Sequence, residues 1–194
     1  MICLVCNRAS IDGLTHPRCR GRYVIDGAFA AISYKGIAKK LIYSFKYKPY
    51  LSDLKTSLVD LFYESIIQNE IFQKAYETKP ILVPIPLYKK RLKNRGYNHA
   101  GILAKGLSEK LGLENLNLLE RIKETKSQFG LKLKDRKENI SGAFSLVPNI
   151  PVSQYPNILL LDDILTTGST LFEAARVLKK NGVKKVFGLA LARD

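Results

Sequence analysis

The sequence predicts an α/β fold with a mostly parallel sheet flanked by helices, preceded by a small N-terminal module. The stretch 157–161, which is continuously apolar from Ile158 onward, leads into two aspartates, as a central parallel strand buried on both faces does. A helical pattern and a second apolar run follow it. Strand, helix and strand in that order form a right-handed βαβ unit, which is the building block of a parallel sheet.

The remaining elements follow from the periodicity of the apolar residues. Short β-prone or apolar runs predict strands at residues 23–34, 81–85, 116–122, 157–161 and 183–192. Apolar residues at helical spacing predict helices at residues 35–47, 52–66, 98–111 and 169–181. The basic segment 88–97 is expected to be a loop because Pro84 and Pro86 interrupt the strand before it. Residues 126–139 are polar and charged and give no clear assignment.

Length and composition limit the organisation of the chain. Its 194 residues, 46% of them apolar, suffice for one main domain and not for two ordinary ones. No apolar run approaches the roughly 20 residues of a membrane-spanning helix, and residues 1–8 do not resemble a signal peptide. We therefore expect a cytoplasmic protein. The net charge of +15 favours a polyanionic partner, nucleic acid first, although a basic proteome or a membrane surface would explain it equally.

Residues 1–22 are predicted to form a zinc module, and residues 23–194 the main domain. The three cysteines all lie within the first 19 residues, and an odd number fits metal ligation in a reducing compartment better than a disulfide framework. The predicted zinc ligands, in two pairs of knuckle spacing, are Cys3, Cys6, His16 and Cys19. Free cysteines beside an unrelated histidine are the alternative. The other histidine, His99, is expected in a loop or on the surface.

The most informative stretch runs from Ile158 to Thr170, where a buried strand ends in two acids and a hydroxyl-rich turn opens a helix. Backbone N–H groups in such a turn and at a helix N-terminus bind phosphate, and the acids can accept hydrogen bonds from ribose hydroxyls or lie near Mg²⁺. No lysine follows Gly168, which excludes a P-loop. An acidic strand end before a capped helix is the alternative. The predicted ligand contacts are Asp162, Asp163, Ile164, Leu165, Thr166, Thr167, Gly168, Ser169 and Thr170.

This stretch resembles the phosphoribosyl pyrophosphate (PRPP) motif of type I phosphoribosyltransferases. Residues 83–98 resemble the pyrophosphate loop and the mobile catalytic loop of the same superfamily, which adds Pro84 and Ile85 to the expected contacts. The resemblance implies Mg²⁺-dependent PRPP binding, with cations that neutralise the departing pyrophosphate. The catalytic residues so implied are Asp162, Asp163, Lys89, Arg91 and Arg95. An ordinary solvated basic loop is the alternative for the last three.

The whole chain resembles the ComF family of competence proteins. The resemblance is carried by the zinc module, residues 95–98, Gln128, Arg136 with Asn139, Ala143-Phe144 and the PRPP motif. His16 departs from the usual four cysteines, and His99 stands where glutamine is common. The family implies a role in natural transformation, in which single-stranded DNA is handled at the cytoplasmic face of the inner membrane, with other DNA-translocation proteins as partners.

The segment between residues 34 and 50 is compatible with single-stranded DNA, because interleaved cations and aromatic rings track a backbone and stack on bases. Packing of the aromatic rings in the core is the alternative. The residues concerned are Tyr34, Lys35, Lys39, Lys40, Tyr43, Phe45, Lys46, Tyr47, Lys48 and Tyr50. Two other functions stay open: a phosphoribosyltransferase acting on a nucleobase-like acceptor, and a regulator that senses PRPP. The sequence does not identify an acceptor or say whether catalysis is retained.

Overall fold

A computed structural model describes residues 1–47, 52–125 and 133–194, which fold around one parallel sheet. Three residues named in the sequence analysis lie outside the described ones: Lys48, Tyr50 and Gln128. For Tyr47 and Arg136, the described structure does not include the side chain. The strands are β1 (Gly27–Ser33), β2 (Ile81–Pro84), β3 (Leu119–Arg121), β4 (Phe144–Leu146), β5 (Asn157–Leu165) and β6 (Lys185–Arg193). The helices are α1 (Gly36–Tyr47), α2 (Ser52–Ile67), α3 (Glu70–Tyr76), α4 (Lys89–Arg95), α5 (His99–Leu111), α6 (Leu133–Ile140) and α7 (Ser169–Lys180).

The central sheet has the strand order β1-β6-β5-β2, with every neighbouring pair parallel. Strand β5 is therefore flanked on both sides, which explains why its first half is a continuous apolar run. Its alternate side chains face opposite cores: Ile158 and Leu160 lie in one, and Leu159 and Leu161 in the other. Strands β3 and β4 form a separate antiparallel pair. The predicted α/β fold with a parallel sheet between helices is confirmed.

Helices cover both faces of the sheet. Helices α2 and α5 pack against each other and against β1 and β5 on one face, with apolar residues of α1 in the same core. Helix α7 lies over β5 and β6 on the other face. All parallel strands end at the same edge, so the segments that follow β2 and β5 meet there. This edge holds the predicted ligand site.

The N-terminal residues dock on the α7 face of the sheet. A short antiparallel bridge joins Ile2 and Ala9. The backbone N–H of Thr15 donates to the carbonyl of Asp26 at 2.9 Å, and the Thr15 hydroxyl donates to the carbonyl of Ile25 at 2.6 Å. Leu4 is 4% exposed and belongs to the same core as Ile25. Residues 1–22 thus share apolar packing with the main domain.

Helix α4 corrects the expectation that residues 88–97 form a loop. Lysine, arginine and leucine favour helix, and Gly96 ends the segment in the left-handed conformation (φ 80°) with its N–H donated to the carbonyl of Leu92. The helix is polar on every side, so no apolar periodicity marks it in the sequence. Helix α3 and strand β4 were not predicted either, because elements of seven and three residues give too little pattern.

Strand β5 is longer than its apolar run. It continues through Asp162 and Asp163 to Leu165, and residues Asp162 and Ile164 pair with Ala190 and Ala192 of β6. The two acids therefore lie within a hydrogen-bonded strand, not in a turn after it. Among the described residues, no helix has both the length and the apolar character to cross a bilayer.

Candidate functional site

The two acids of the predicted site lie at the carboxyl end of β5, and each has a defined contact. The backbone N–H of Asp163 donates to Oδ1 of Asp162 at 2.8 Å. Oδ2 of Asp163 forms an ion pair with Nζ of Lys46, in the last turn of α1, at 2.9 Å. Because successive residues of a strand face opposite sides, the two carboxylates have different surroundings.

Asp162 is the more perturbed of the two acids. Burial, and then the negative charge of Asp163, raise the pKa of Asp162 from 3.8 to about 7, although the charges of Lys46 and Arg121 act in the opposite direction. A carboxyl with this pKa changes protonation near neutral pH. It can therefore accept hydrogen bonds from ribose hydroxyls when ionised, and it is the kind of group found at functional sites.

The loop after β5 leads into the N-terminus of α7 and has features of an anion-binding loop. Gly168 has φ 72°, a conformation that glycine adopts without strain, and its carbonyl accepts from Phe172 N–H at 2.8 Å. Oγ1 of Thr167 and Oγ of Ser169 are 2.9 Å apart, so two hydroxyls converge at the start of a twelve-residue helix. Hydroxyls and free backbone N–H groups at a helix N-terminus are suited to a phosphate monoester.

Ile164 and Leu165 can contribute to such a site mainly through their backbones. Leu165 is 2% exposed and packs in the core, and its carbonyl accepts from the N–H of Asp194 at 3.1 Å. Ile164 is half-buried in strand β5 and packs against the opposite core. These residues therefore anchor the loop to the sheet.

The end of β2 lies directly beside the acid-bearing end of β5. Pro84 pairs with Leu161, and the N–H of Ile85 donates to the carbonyl of Leu161 at 2.8 Å. Nδ2 of Asn98 donates to the carbonyl of Ile85 at 3.0 Å, which holds the start of α5 against this turn. The two segments that the sequence analysis assigned to one site thus meet at one edge of the sheet.

The predicted catalytic cations Lys89, Arg91 and Arg95 all lie on α4. Lys89 is exposed, and Arg91 and Arg95 are half-buried. Nη2 of Arg91 donates to the carbonyl of Thr125 at 2.7 Å, and Lys90 pairs with Glu124 at 3.3 Å. Helix α4 is therefore fixed to the segment after β3, and the catalytic role of its cations stays a prediction.

Sequence reasoning missed Arg121 of β3. It is 8% exposed, its Nη2 donates to the hydroxyl of Thr125, and its guanidinium lies 5.5 Å from the centre of the Phe144 ring. Burial, and then the charge of Arg91, lower its pKa, while the negative charge of Asp162 raises it. Thr125 is thus bonded to two arginines. No local pattern distinguishes a buried arginine in a short strand, so this residue could not be identified before the structure was known.

The prediction for His99 is wrong: it is 1% exposed and opens helix α5 inside the protein. Its ring lies 5.3 Å from that of Phe45 and 4.8 Å from that of Tyr97, and its Nε2 is 3.2 Å from the carbonyl of Lys46. Burial lowers its pKa, so the neutral imidazole can donate to that carbonyl. The Tyr97 hydroxyl donates to the carbonyl of Phe45 at 2.6 Å. This cluster fixes the end of α1 that carries Lys46.

The four predicted metal ligands do converge in the N-terminal module. The ligand atoms of Cys3, Cys6, His16 and Cys19 all lie within 4.8 Å of one another. Nδ1 of His16 is 3.3 Å from Sγ of Cys6, while its Nε2 is 2.9 Å from the carbonyl of Ala9, which leaves Nδ1 for a metal. Three sulfurs and one imidazole in this spacing could hold a structural metal ion such as zinc.

The segment proposed for nucleic acid is divided between surface and core. Lys35, Lys39 and Lys40 are exposed, and Tyr43 is 58% exposed. Phe45 is 5% exposed, and Tyr34 packs at the margin of the same core. Lys46 pairs with Asp163. Three lysines and one tyrosine of this segment therefore form a surface, here called the α1 surface, while the core-packing alternative applies to Phe45 and partly to Tyr34.

Comparison with known proteins found relatives that match more than half of the chain. It is 43% identical over 113 residues to Competence protein F of Haemophilus influenzae, a match covering 58% of this chain and 49% of that protein. It is 34% identical over 131 residues to Competence protein ComFC of Streptococcus pneumoniae, covering 68% of this chain and 54% of that protein. It is also 34% identical over 113 residues to DNA utilization protein YhgH of Escherichia coli K12, covering 58% and 48%.

No family model matches the chain. The matched segments span about half the length of the curated relatives. The pairwise identities nevertheless confirm the resemblance indicated by the motifs. The chain is a homologue of the proteins named Competence protein F, ComFC and DNA utilization protein YhgH.

Proposed function

We propose that this chain acts in competence or DNA utilization, and that it binds PRPP as a Mg²⁺ complex and single-stranded DNA at separate surfaces. The names of its homologues support the biological role. The observation that carries the PRPP proposal is the arrangement at the end of β5. There, Asp162 and Asp163 precede a loop whose Thr167 and Ser169 hydroxyls converge at the N-terminus of α7.

In this proposal, each group at the site has a separate task. The loop from Thr166 to Thr170 binds the 5′-phosphate through backbone N–H groups and hydroxyls. Asp162 and Asp163 accept hydrogen bonds from the ribose hydroxyls, and Lys46 forms the ion pair that holds the Asp163 side chain in place. Mg²⁺ enters with PRPP and offsets the charge of its pyrophosphate. The backbone after Pro84 borders the same edge.

The single-stranded DNA proposal rests on charge and exposure. A net charge of +15 exceeds what a small anionic ligand needs, and the α1 surface presents three lysines beside an exposed tyrosine. Exposed Lys89 and Lys93 of α4 add further cations. The peripheral position at the inner membrane, with DNA-translocation proteins as partners, belongs to the same proposal.

Binding of PRPP is tested by isothermal titration calorimetry of the full chain with and without Mg²⁺. The Asp162→Asn/Asp163→Asn variant should bind far more weakly than the wild type, because both acceptors for the ribose are lost. The matched control is Asp60→Asn, which removes an acid that lies 2.9 Å from Lys110 and is not part of the site. Equal affinity in all three proteins would refute the site.

Binding of single-stranded DNA is tested by fluorescence anisotropy of a labelled oligonucleotide at several salt concentrations, with a duplex control. Each neutralised phosphate contributes a slope of about −0.7 in log affinity against log salt. Replacing Lys39 and Lys40 by glutamine should therefore reduce the slope by up to about 1.4. The matched control replaces Lys184 and Lys185, which are exposed at the opposite end of the sheet. If both pairs have the same effect, the α1 surface has no special role.

A second candidate function is phosphoribosyl transfer to a nucleobase-like acceptor. It is favoured by the cationic groups of Arg91 and Arg121, which are joined through Thr125, and by the electrostatic interaction of Arg121 with Asp162. Mg²⁺-dependent release of pyrophosphate in the presence of natural bases would support the transferase. PRPP binding without release, in a protein that also binds DNA, would favour the DNA-handling role or the PRPP-sensing role.

A further inference from the structure

The N-terminal metal module and the loop after β5 are in direct contact through one side chain. A Cβ atom placed on Gly168 would lie 2.6 Å from both Cδ1 and Cδ2 of Leu4. Real Cβ atoms essentially never approach so closely, so Leu4 rests on the bare backbone of the loop at this residue. Glycine at position 168 thus serves two needs, the positive φ of the loop and the room for Leu4.

Leu4 lies between two of the candidate metal ligands, Cys3 and Cys6. It lies in a tight turn between Cys3 and Cys6, where the N–H of Asn7 donates to the carbonyl of Cys3 at 2.9 Å. The side chain is 4% exposed and belongs to the same core as Leu165 and Leu171, which flank the loop on both sides. A metal ion bound to Cys3 and Cys6 would therefore fix the position of the leucine between them.

A cavity lies beside the contact between Leu4 and Gly168, and it would let the loop move if the Leu4 side chain were shortened. Leu4 forms part of the wall of a cavity of about 140 Å³, and Thr167, Ser169 and Phe172 form other parts of it. Thr167 and Ser169 are the residues whose hydroxyls converge at the start of α7. Removal of the Leu4 methyl groups would enlarge this cavity next to those hydroxyls, and the loop would lose the support that fixes them.

We propose that Leu4 is a positioning residue for the loop from Thr166 to Thr170, so that the N-terminal metal site and the ligand of this loop are thermodynamically coupled. The part of this inference that concerns ligand affinity rests on the proposed PRPP site. The contact between Leu4 and Gly168, and its effect on loop order, do not. By linkage, metal binding then strengthens ligand binding by the same factor as the ligand strengthens metal binding.

The first test measures loop order without any ligand. Hydrogen exchange of the amides at residues 166–170 is compared in the wild type, Leu4→Ala and the milder Leu4→Val, each with its metal content determined. The matched control is Val183→Ala, which truncates a residue of the same core, 4% exposed, at the other end of the sheet. We expect faster exchange at the loop in the Leu4 variants, with one metal ion still bound, and unchanged loop exchange in Val183→Ala.

The second test measures Mg²⁺–PRPP affinity by calorimetry in the same proteins. We expect Leu4→Ala to weaken binding about tenfold, within the range typical of coupled sites, and Val183→Ala to leave it unchanged. Gly168→Ala should also weaken PRPP binding. Its effect should be smaller in the Leu4→Ala background, because the shorter side chain removes the clash with the new Cβ atom and leaves only the backbone strain at residue 168. A merely structural role of Leu4 would give additive effects.

The outcomes separate the two proposals. If the wild type does not bind PRPP, the proposed function fails, and the exchange measurements still decide the role of Leu4. If the wild type binds PRPP, and Leu4→Ala matches Val183→Ala in both exchange and affinity, the positioning role is refuted. Additive effects of Leu4→Ala and Gly168→Ala on affinity would overturn it as well.

Discussion

Asp162 is predicted to destabilise the folded protein at neutral pH, so its replacement by asparagine should stabilise the fold while it impairs the site. The folded state raises the pKa of Asp162 from 3.8 to about 7, because the half-buried carboxyl loses hydration and lies beside the negative charge of Asp163. Between these two pH values the folded state binds more protons at this residue than the unfolded state does. The stability of the wild type therefore falls as the pH rises through this range.

The magnitude follows from the same two values. A rise in the pKa of Asp162 from 3.8 to about 7 corresponds to a loss of at most about 4 kcal/mol in the free energy of unfolding. Between these two pH values, the loss is about 1.4 kcal/mol per pH unit. Relaxation of the site around the charge reduces this ceiling, and we expect a pH-dependent gain of about 1–2 kcal/mol in Asp162→Asn. The gain should be absent near pH 4, where Asp162 is protonated, and constant above about pH 7.

The assay is urea denaturation of the wild type and Asp162→Asn at a series of pH values from 4 to 8, without Mg²⁺ or ligand. The quantity compared is the difference in free energy of unfolding between the wild type and Asp162→Asn at each pH. Groups that titrate in the same way in both proteins do not contribute to this difference. Asp60→Asn is the control, because its carboxylate is half exposed and paired with Lys110 on the surface. A difference between wild type and Asp162→Asn that does not change with pH would refute the reasoning.

Three further predictions concern the metal site, the helix packing and the partner of Asp163. Cys19→Ser should lower the amount of bound metal, measured by atomic emission, and also the melting temperature. A chelator should then lower the melting temperature of the wild type and leave that of Cys19→Ser unchanged. Gly106→Ala should destabilise the protein by about 1–3 kcal/mol in urea denaturation, because the new Cβ would lie 2.6 Å from Cγ2 of Val59; Val59→Ala should restore part of the loss. Lys46→Met should raise the pKa of Asp162 further, because the charge of the lysine lowers this pKa. In the Lys46→Met background, the stability gain from Asp162→Asn should therefore become constant only at a higher pH. If the gain became constant at the same pH as before, the prediction would be contradicted.

The sequence alone predicted the elements that have strong local patterns. The short apolar run before Asp162 identified a central strand, because a strand buried on both faces shows no alternation of apolar and polar residues in its buried part. The four metal ligands could be recognised because each pair lies within one turn of chain, so the spacing itself holds the geometry. The motif from Asp162 to Thr170 was visible for the same reason, and its ligand contacts stay a prediction.

Helix α4 was missed because it has no apolar periodicity, and α3 and β4 were missed because they are too short to give a pattern. The burial of His99 could not be predicted because it depends on residues distant in the sequence. His99 is buried only because Phe45 and Tyr97 pack around it, and no local feature distinguishes it from an exposed histidine.

By itself, then, the sequence determined the parallel α/β core, the candidate metal ligands and the candidate ligand loop, because local spacing encodes each of them. Only the tertiary structure decided that Lys46 pairs with Asp163, that Arg121 lies buried with Thr125, and that Leu4 rests on Gly168. The contacts of Lys46 and Leu4 join segments far apart in the chain, and the burial of Arg121 depends on packing against Phe144 of β4. Their physical effects, which are desolvation, charge pairing and close packing, arise only when folding brings those segments together.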